Sequence, residues 1–218
     1  EEARTELLQA CRDADIVFLT GGLGGGTGTG SLPVIARLAK ERGALTNAIV
    51  TLPFSNEGAR RSKNARLGLD KLRKSADTVI VIPNDKLLQE EIMNLPLNTA
   101  FRQADEILGN AIKCMTEITS QGGLVNIDFA DMRSIMDGGG VAMIGMGEGQ
   151  GANRATDAVS AALQSPLLEL DIANSEGALV NVTGGDDMTL QEAHEVVREV
   201  HSKINKDARI IWGASIDS

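Results

Sequence analysis

The chain has 218 residues, which is long enough for a well-buried core in one large domain or in two smaller ones. Its formal net charge is −9 and its acidic residues are dispersed along the sequence, so we expect no nucleic-acid partner. The two cysteines, Cys11 and Cys114, match no metal-ligand spacing, and the sequence contains no signal peptide and no apolar stretch of membrane-spanning length. These features predict a cytoplasmic protein without direct membrane insertion.

Strands and helices alternate through the first part of the sequence. The apolar patterns predict helices at about 1–12, 31–42 and 58–76, and strands at 15–20, 45–52 and 77–82. This alternation predicts an α/β fold with a parallel, Rossmann-like sheet covered on both faces. The strand at 15–20 is apolar on both faces, as central strands are, so we expect a further strand to pair with it.

The segment after the first strand is the most informative part of the sequence. It consists only of glycine and threonine: Gly24, Gly25, Gly26, Thr27, Gly28, Thr29 and Gly30. A strand that ends in glycines and continues as a helix leaves backbone N–H groups uncovered, with the positive end of the helix dipole behind them. The pattern therefore predicts a phosphate-binding loop, and a flexible linker is the alternative.

Two common phosphate-binding motifs do not fit this run. The dinucleotide fingerprint needs a third glycine that every register of the run lacks, which disfavours an NAD-dependent oxidoreductase, and a Walker loop needs a lysine, whereas the first lysine is Lys40. Three glycines followed by Thr-Gly-Thr-Gly-Ser instead resemble the signature loop of the tubulin/FtsZ family of GTPases. The resemblance implies that residues 24–30 bind the phosphates of GTP or GDP.

Polar residues also follow the next two strands. Glu57 lies just beyond the carboxyl end of the strand at 45–52, where a carboxylate can accept hydrogen bonds from ribose hydroxyls, and Arg61 follows one helical turn later. An ordinary i,i+4 salt bridge is the alternative for this pair. The segment is similar to the family's sugar-binding loop. Asn84 emerges at the same edge of the sheet, where asparagine is also a common helix cap, and the resemblance places it beside the nucleotide.

A long helix is predicted at about 97–121. Phe101 and Asp105 are four residues apart and share one side of it. An aromatic ring can stack on a purine, and a carboxylate can accept from both N1–H and the 2-amino group of guanine. Core packing for Phe101 and a solvated charge for Asp105 are the alternatives. The family carries an aromatic residue and Asn or Asp at these places, which implies guanine recognition.

A second polar cluster follows that helix. Asp128 and Asp131 are three residues apart at the start of a short helix, with Asn126 just before them. Such a cluster can hold a cation or orient a water molecule for attack on phosphorus, and helix capping is the alternative. The string resembles the family loop that completes the active site of the neighbouring subunit, so we assign catalysis to these three residues. We assign no metal ligands in the chain and expect Mg²⁺ to arrive with the nucleotide.

The pattern of elements restarts after residue 122. A helix at 129–137, a strand near 141–147, a helix at 152–164, strands at 177–183 and 208–215, and a capping box from Thr189 to Glu192 are predicted. We therefore predict a partial GTP-binding domain at 1–121, including the connecting helix, and a smaller α+β domain at 122–218 that carries the catalytic loop.

The resemblance covers nearly the whole chain and implies a function. It implies a GTP-hydrolysing subunit of a head-to-tail filament that forms the midcell division ring of prokaryotes, with each GTPase site completed between adjacent subunits. A tubulin-like GTPase for cell shape or DNA segregation, and a catalytically silent assembly module, are the alternatives.

The family's earlier strand, its first glycine-rich loop and its flexible tail match nothing in this sequence. In the family, that tail binds membrane-anchoring and division-ring proteins. We therefore expect the chain to be a fragment that is inactive alone.

Overall fold

The computed structural model describes residues 4–87, 97–120, 124–165, 168 and 172–216. Contacts divide the chain into two compact units, residues 1–112 with 136–142, and residues 113–135 with 143–218. Each unit is described by itself below. The predicted domain boundary near residue 122 stays a prediction.

The first unit is built on a four-stranded parallel sheet with the strand order β1-β2-β3-β4. Its strands are β1 (Ile16–Gly22), β2 (Leu45–Leu52), β3 (Thr78–Pro83) and β4 (Gly140–Ala142). Its helices are α1 (Arg4–Ala10), α2 (Thr27–Glu41), α3 (Ala59–Arg73) and α4 (Asn84–Leu87), and α5 (Leu97–Ser120) passes into the second unit. The predicted parallel α/β fold with a long connecting helix is confirmed.

The centre of the first unit is β2, whose first six residues are buried. Leu32 and Ala36 of α2 and Leu72 of α3 pack into the same core, together with Val50 of β2 and Val79 of β3. Because this core holds both helices against the sheet, it fixes the segments that leave the carboxyl ends of β1 and β2.

Two strands differ in their surroundings from what the sequence pattern indicates. The strand expected near 141–147 is β4, which is shorter and pairs in parallel with residues 78–80 of β3, so it belongs to the sheet of the first unit. β1 lies at the edge of the described sheet and is only partly buried. The further strand expected beside β1 stays a prediction.

The second unit contains a two-stranded parallel sheet of β5 (Gly177–Gly184) and β6 (Arg209–Ile216). Its further helices are α6 (Phe129–Met136, of which Met136 belongs to the first unit), α7 (Arg154–Leu163) and α8 (Leu190–Lys203). The predicted capping box at the start of α8 is confirmed: Thr189 N–H donates to Glu192 Oε2 at 2.8 Å, and Thr189 Oγ1 accepts from Glu192 N–H at 3.3 Å.

Within the described residues, no helix is long and apolar enough to cross a membrane.

A buried carboxylate, that of Asp77, lies at the amino ends of the strands in the main sheet, just before β3, and the residue is 4% exposed. Its Oδ2 accepts hydrogen bonds from the N–H of Thr46 at 2.9 Å and from the Thr46 hydroxyl at 2.8 Å, and Lys40 Nζ donates to Oδ1. Burial by itself would raise the pKa of Asp77, but these hydrogen bonds outweigh it and the pKa is lowered. The ionised carboxylate therefore ties β2, α2 and the start of β3 together.

We predict that Asp77→Ala lowers the free energy of unfolding by about 2–3 kcal/mol at pH 7, because it leaves the buried Thr46 N–H without an acceptor. Since the pKa of Asp77 is lower in the folded state than in the unfolded chain, its contribution is present above about pH 4 and is lost as the pH falls through the folded-state pKa. Urea denaturation of both proteins between pH 7 and pH 3 measures this difference.

The control is Asp70→Ala, which removes an exposed carboxylate from α3 and should change stability little. A stability difference between Asp77→Ala and the unaltered chain that stays constant down to pH 3 would contradict the assignment.

Candidate functional site

The predicted phosphate loop lies where β1 ends and α2 begins. Helix α2 starts at Thr27, four residues before the start at 31 that the sequence pattern predicts, so the last four of the seven residues of the run form its first turn. Gly26 is the N-cap residue, and no side chain caps the helix there. The amide N–H groups of a first helical turn have no acceptor within the helix, so these are left available to an anion.

Two glycines of the run are required by the fold itself. Gly24 has a φ of 110°, which favours glycine, and a Cβ on Gly28 would lie 2.3 Å from the carbonyl oxygen of Gly22. Gly25 and Gly26 are different, because a Cβ on either would project into open space. No neighbouring atom among the described residues requires glycine at these two positions, and both line the cavity described next. This fits a ligand that approaches the backbone closely.

Thr29 contacts both the start of the loop and helix α3. Its Oγ1 accepts a hydrogen bond from Gly24 N–H at 2.8 Å, and its methyl group lies against α3, where a Cβ on Gly68 would come within 2.5 Å of it. Gly68 was not singled out in the sequence, although a glycine inside an otherwise regular helix is itself a signal of close packing. The phosphate contact assigned to Thr29 stays a prediction.

A cavity of about 300 Å³ opens in front of the loop. The predicted residues that line it are Gly25, Gly26, Thr27, Gly28, Glu57, Arg61 and Asn84. The lining also includes Gly22, Leu23, Thr51 and Pro53, which sequence analysis did not assign. Three residues of the predicted loop, Gly24, Thr29 and Gly30, are not among the lining residues. The cavity thus joins the segments that follow β1, β2 and β3 at one edge of the sheet, as parallel strands require.

Glu57 and Arg61 form the i,i+4 salt bridge that the sequence analysis gives as the alternative for this pair. Arg61 Nη1 donates to Glu57 Oε2, and Glu57 Oε1 accepts from Phe54 N–H at 2.9 Å. The Glu57 side chain is 19% exposed. A carboxylate offers about four lone pairs, so acceptor capacity towards a ribose hydroxyl remains. The salt bridge is observed, and the sugar contact stays a prediction.

Asn84 lines the cavity and has an unsatisfied acceptor in its side chain. The residue is 9% exposed at the start of α4, and its Oδ1 is buried with no hydrogen-bond partner among the described residues. Buried amide oxygens are nearly always paired in folded proteins, so such an atom beside a cavity indicates a donor from a ligand or a bound water. This observation points to ligand binding without using the glycine run.

The predicted base-recognition residues are described only in part. The backbones of Phe101 and Asp105 lie one turn apart in α5, as predicted. Their side chains lie outside the described residues, and their contacts with guanine stay predictions.

The predicted catalytic residues are exposed and lie in the second unit. Val125 exchanges two 3.1 Å backbone hydrogen bonds with Ala214 of β6, so the chain leading to Asn126 and Asp128 is anchored. Asp128 Oδ1 accepts from Ala130 N–H at 3.1 Å, which is a capping contact, and Asp131 lies in the first turn of α6. Catalysis by these residues stays a prediction.

Within the described ranges, no group of three or more His, Cys, Asp and Glu side chains is placed so that it could hold a metal ion.

Known families and proteins match this chain along its length. A model of the GTPase domain of the tubulin/FtsZ family matches residues 1–91, and a model of the C-terminal domain of the FtsZ family matches residues 140–218. Cell division protein FtsZ of Methanothermobacter thermautotrophicus is 58% identical over 99% of this chain and 56% of its own length. Cell division protein FtsZ 1 of Archaeoglobus fulgidus is 56% identical over 99% of this chain and 58% of its own.

A solved structure agrees with these matches. The chain superposes on an empty FtsZ dimer structure from M. jannaschii with a TM-score of 0.95 at 53% identity, covering 100% of this chain and 63% of that one. The chain thus spans less than two thirds of the length of the relatives it matches. Two domain models in family order, and relatives with more than half of their aligned residues identical, establish that the chain belongs to the tubulin/FtsZ family.

Proposed function

We propose that this chain is part of a GTP-binding and GTP-hydrolysing subunit of a self-assembling filament that forms the division ring in prokaryotic cytokinesis. The observation that carries the proposal is the cavity at the start of α2, which is lined by glycines of the loop and by Asn84, whose buried Oδ1 has no hydrogen-bond partner among the described residues. The relatives at 58% and 56% identity are named cell division proteins, which favours division over a cell-shape or DNA-segregation role.

Each part of the nucleotide has a proposed partner in the first unit. The amides of the loop and of the first turn of α2 would bind phosphate oxygens, assisted by the helix dipole. Glu57 and Arg61 would contact the ribose region, with Asn84 beside it. Phe101 would stack on the base and Asp105 would accept from guanine N1–H and the 2-amino group. Mg²⁺ would be held mainly by the phosphate oxygens of the nucleotide itself.

Hydrolysis is proposed to take place between two subunits. A water molecule attacks the terminal phosphorus, the bond to the oxygen that bridges to the β-phosphate breaks, and GDP and inorganic phosphate are released. Asp131, with Asp128 and Asn126, would orient that water on the GTP of the next subunit in a head-to-tail filament. The exposure of these residues in the second unit supports a role towards a partner. Catalysis then depends on assembly, and this chain alone would be inactive or nearly so.

We also propose the partners and the location of the polymerising protein that contains this sequence. Membrane-anchoring and division-ring proteins would bind through a tail, the filament would assemble at midcell in the cytoplasm, and nucleic acid would not be a partner.

We predict that Gly28→Ala weakens binding of GDP to this chain at least about tenfold, because the added methyl group would collide with the Gly22 carbonyl oxygen and displace the first turn of α2. Isothermal titration calorimetry measures the affinity, and thermal unfolding shows whether the variant is folded. The matched control is Gly109→Ala in α5, where an added Cβ meets open space and binding should not change. Unchanged binding in Gly28→Ala would remove the glycine loop from the site.

We predict that Asp131→Ala, in the polymerising protein that contains this sequence, retains GTP binding and abolishes turnover. A partner variant with bulky side chains at Gly26 and Gly28 should be inactive because it cannot bind GTP. Mixing the two should restore part of the phosphate release, since the intact Asp131 of the binding-defective subunit can serve a neighbour's GTP.

Asp137→Ala, at an exposed position just after α6, is the control and should retain turnover. If sedimentation shows that the two inactive variants assemble together but no phosphate is released, the site is not shared between subunits.

A further inference from the structure

We propose that Asp85 is a positioning residue of the nucleotide site, because its hydrogen bond keeps the turn that carries Glu57 at a fixed position relative to Asn84. Asp85 does not line the cavity itself. It acts by hydrogen bonding to the backbone of the neighbouring loop, and the proposal rests on the nucleotide-binding function proposed above.

The need for such a residue arises where the sheet ends. The last ladder pair between β2 and β3 is Leu52 with Pro83, and proline has no N–H with which to extend the ladder. Beyond it the two segments separate, one into the 3₁₀ turn Ser55–Glu57 and the other into α4. Each segment contributes a residue to the cavity lining, Glu57 from the first and Asn84 from the second.

Two side chains cap the 3₁₀ turn, and they come from different segments. Glu57 Oε1 accepts from Phe54 N–H at 2.9 Å, which is a contact within the turn. Asp85 Oδ1 accepts from Ser55 N–H at 2.9 Å, across 30 residues of sequence. The first N–H groups of a helical turn have no acceptor in the turn itself, so each cap fixes the turn as well as satisfying a donor. Of these two contacts, only that of Asp85 connects the turn to the segment that follows β3.

This hydrogen bond therefore links two residues that would contact one nucleotide. Asp85 directly follows Asn84, a lining residue whose buried Oδ1 has no partner in the part of the chain that the structure describes, and Ser55 lies two residues before Glu57. A binding site depends on supporting hydrogen bonds to keep its contact residues within about half an ångström of their working positions. Without the Asp85 contact, the Glu57 turn can shift relative to Asn84, and sugar recognition should weaken.

The acceptor atom, rather than the charge, is what the geometry requires. Ser55 N–H is a neutral donor, and Asp85 is exposed, so solvent screens the effect of its charge on the site. Asparagine keeps an oxygen at the same place and should replace aspartate, whereas alanine should not. This separates positioning from a direct electrostatic role in holding the nucleotide or its cation.

A first experiment needs no nucleotide. Amide hydrogen exchange followed by NMR should show the Ser55 N–H exchanging about three- to tenfold faster in Asp85→Ala, which corresponds to the loss of one hydrogen bond. Asp85→Asn should restore the rate of the unaltered chain, and Asp70→Ala, at an exposed position on α3, should leave it unchanged. An unchanged Ser55 rate in Asp85→Ala would overturn the proposed hold on the turn.

A second experiment tests the consequence for sugar recognition, using GDP and 2′,3′-dideoxy-GDP as probes for calorimetry on the whole chain. The unaltered chain should prefer GDP. Asp85→Ala should bind GDP about three- to tenfold more weakly and should lose less affinity for the dideoxy nucleotide. The ratio of the two affinities should therefore fall in Asp85→Ala and return to that of the unaltered chain in Asp85→Asn. Equal losses for both nucleotides, or failure of Asp85→Asn to recover the preference, would overturn the positioning role.

The failures of the two proposals are distinguishable. If the unaltered chain binds no GDP, the proposed function fails and this inference falls with it. If the unaltered chain binds GDP and prefers it, while Asp85→Ala behaves identically, only the role of Asp85 is wrong.

Discussion

At Gly28 the backbone of a helix lies directly against the end of a strand, with no room for a single methyl group between it and the Gly22 carbonyl oxygen. The rest of the site depends on this close approach. It sets the start of α2 at the carboxyl ends of the strands, where Gly25 and Gly26 line the cavity without side chains that could cover their backbone. The helix dipole then adds to the attraction for an anion at the same place.

The amino ends and the carboxyl ends of the strands in the main sheet differ in how their polar groups are paired, and this difference suits a binding protein. At the amino ends, Asp77 is buried and accepts hydrogen bonds from Thr46 and Lys40, so strands and helix are locked together. At the carboxyl ends of the strands, Asn84 Oδ1 has no partner among the described residues, and residues of the glycine loop line a cavity. The buried network of Asp77 thus lies at the opposite ends of the strands from the cavity, where a polar atom has no partner in the described part of the protein.

The sequence predicted the features that arise from local pattern. The loop between β1 and α2 and the capping box at Thr189 depend on residues within a few positions of each other, and the structure contains both. The salt bridge of Glu57 with Arg61, which was the alternative for that pair, is equally local and is observed. The start of α2 was predicted too late, because glycine and threonine are weak helix formers and the first turn gains its stability from tertiary contacts such as that between Thr29 and Gly68.

Features that join distant segments were not predictable in this way. The pairing of β4 with β3, the buried network of Asp77 and the contact of Asp85 with Ser55 bring together residues 30 or more positions apart, and no periodicity in the sequence encodes them. Sequence patterns favour strands and helices one by one, whereas partners across the sheet are selected by the packing of the whole unit.

The central claim is that the backbone amides at the start of α2 bind nucleotide phosphates. The most direct test is an NMR titration of the uniformly ¹⁵N-labelled chain with GDP and, separately, with guanosine, which lacks phosphate. The account predicts that GDP shifts the amide resonances of Gly25, Gly26, Thr27 and Gly28 most strongly, and that guanosine leaves them nearly unchanged. Equal shifts with both ligands, or GDP-dependent shifts that leave these four amides unmoved, would contradict it.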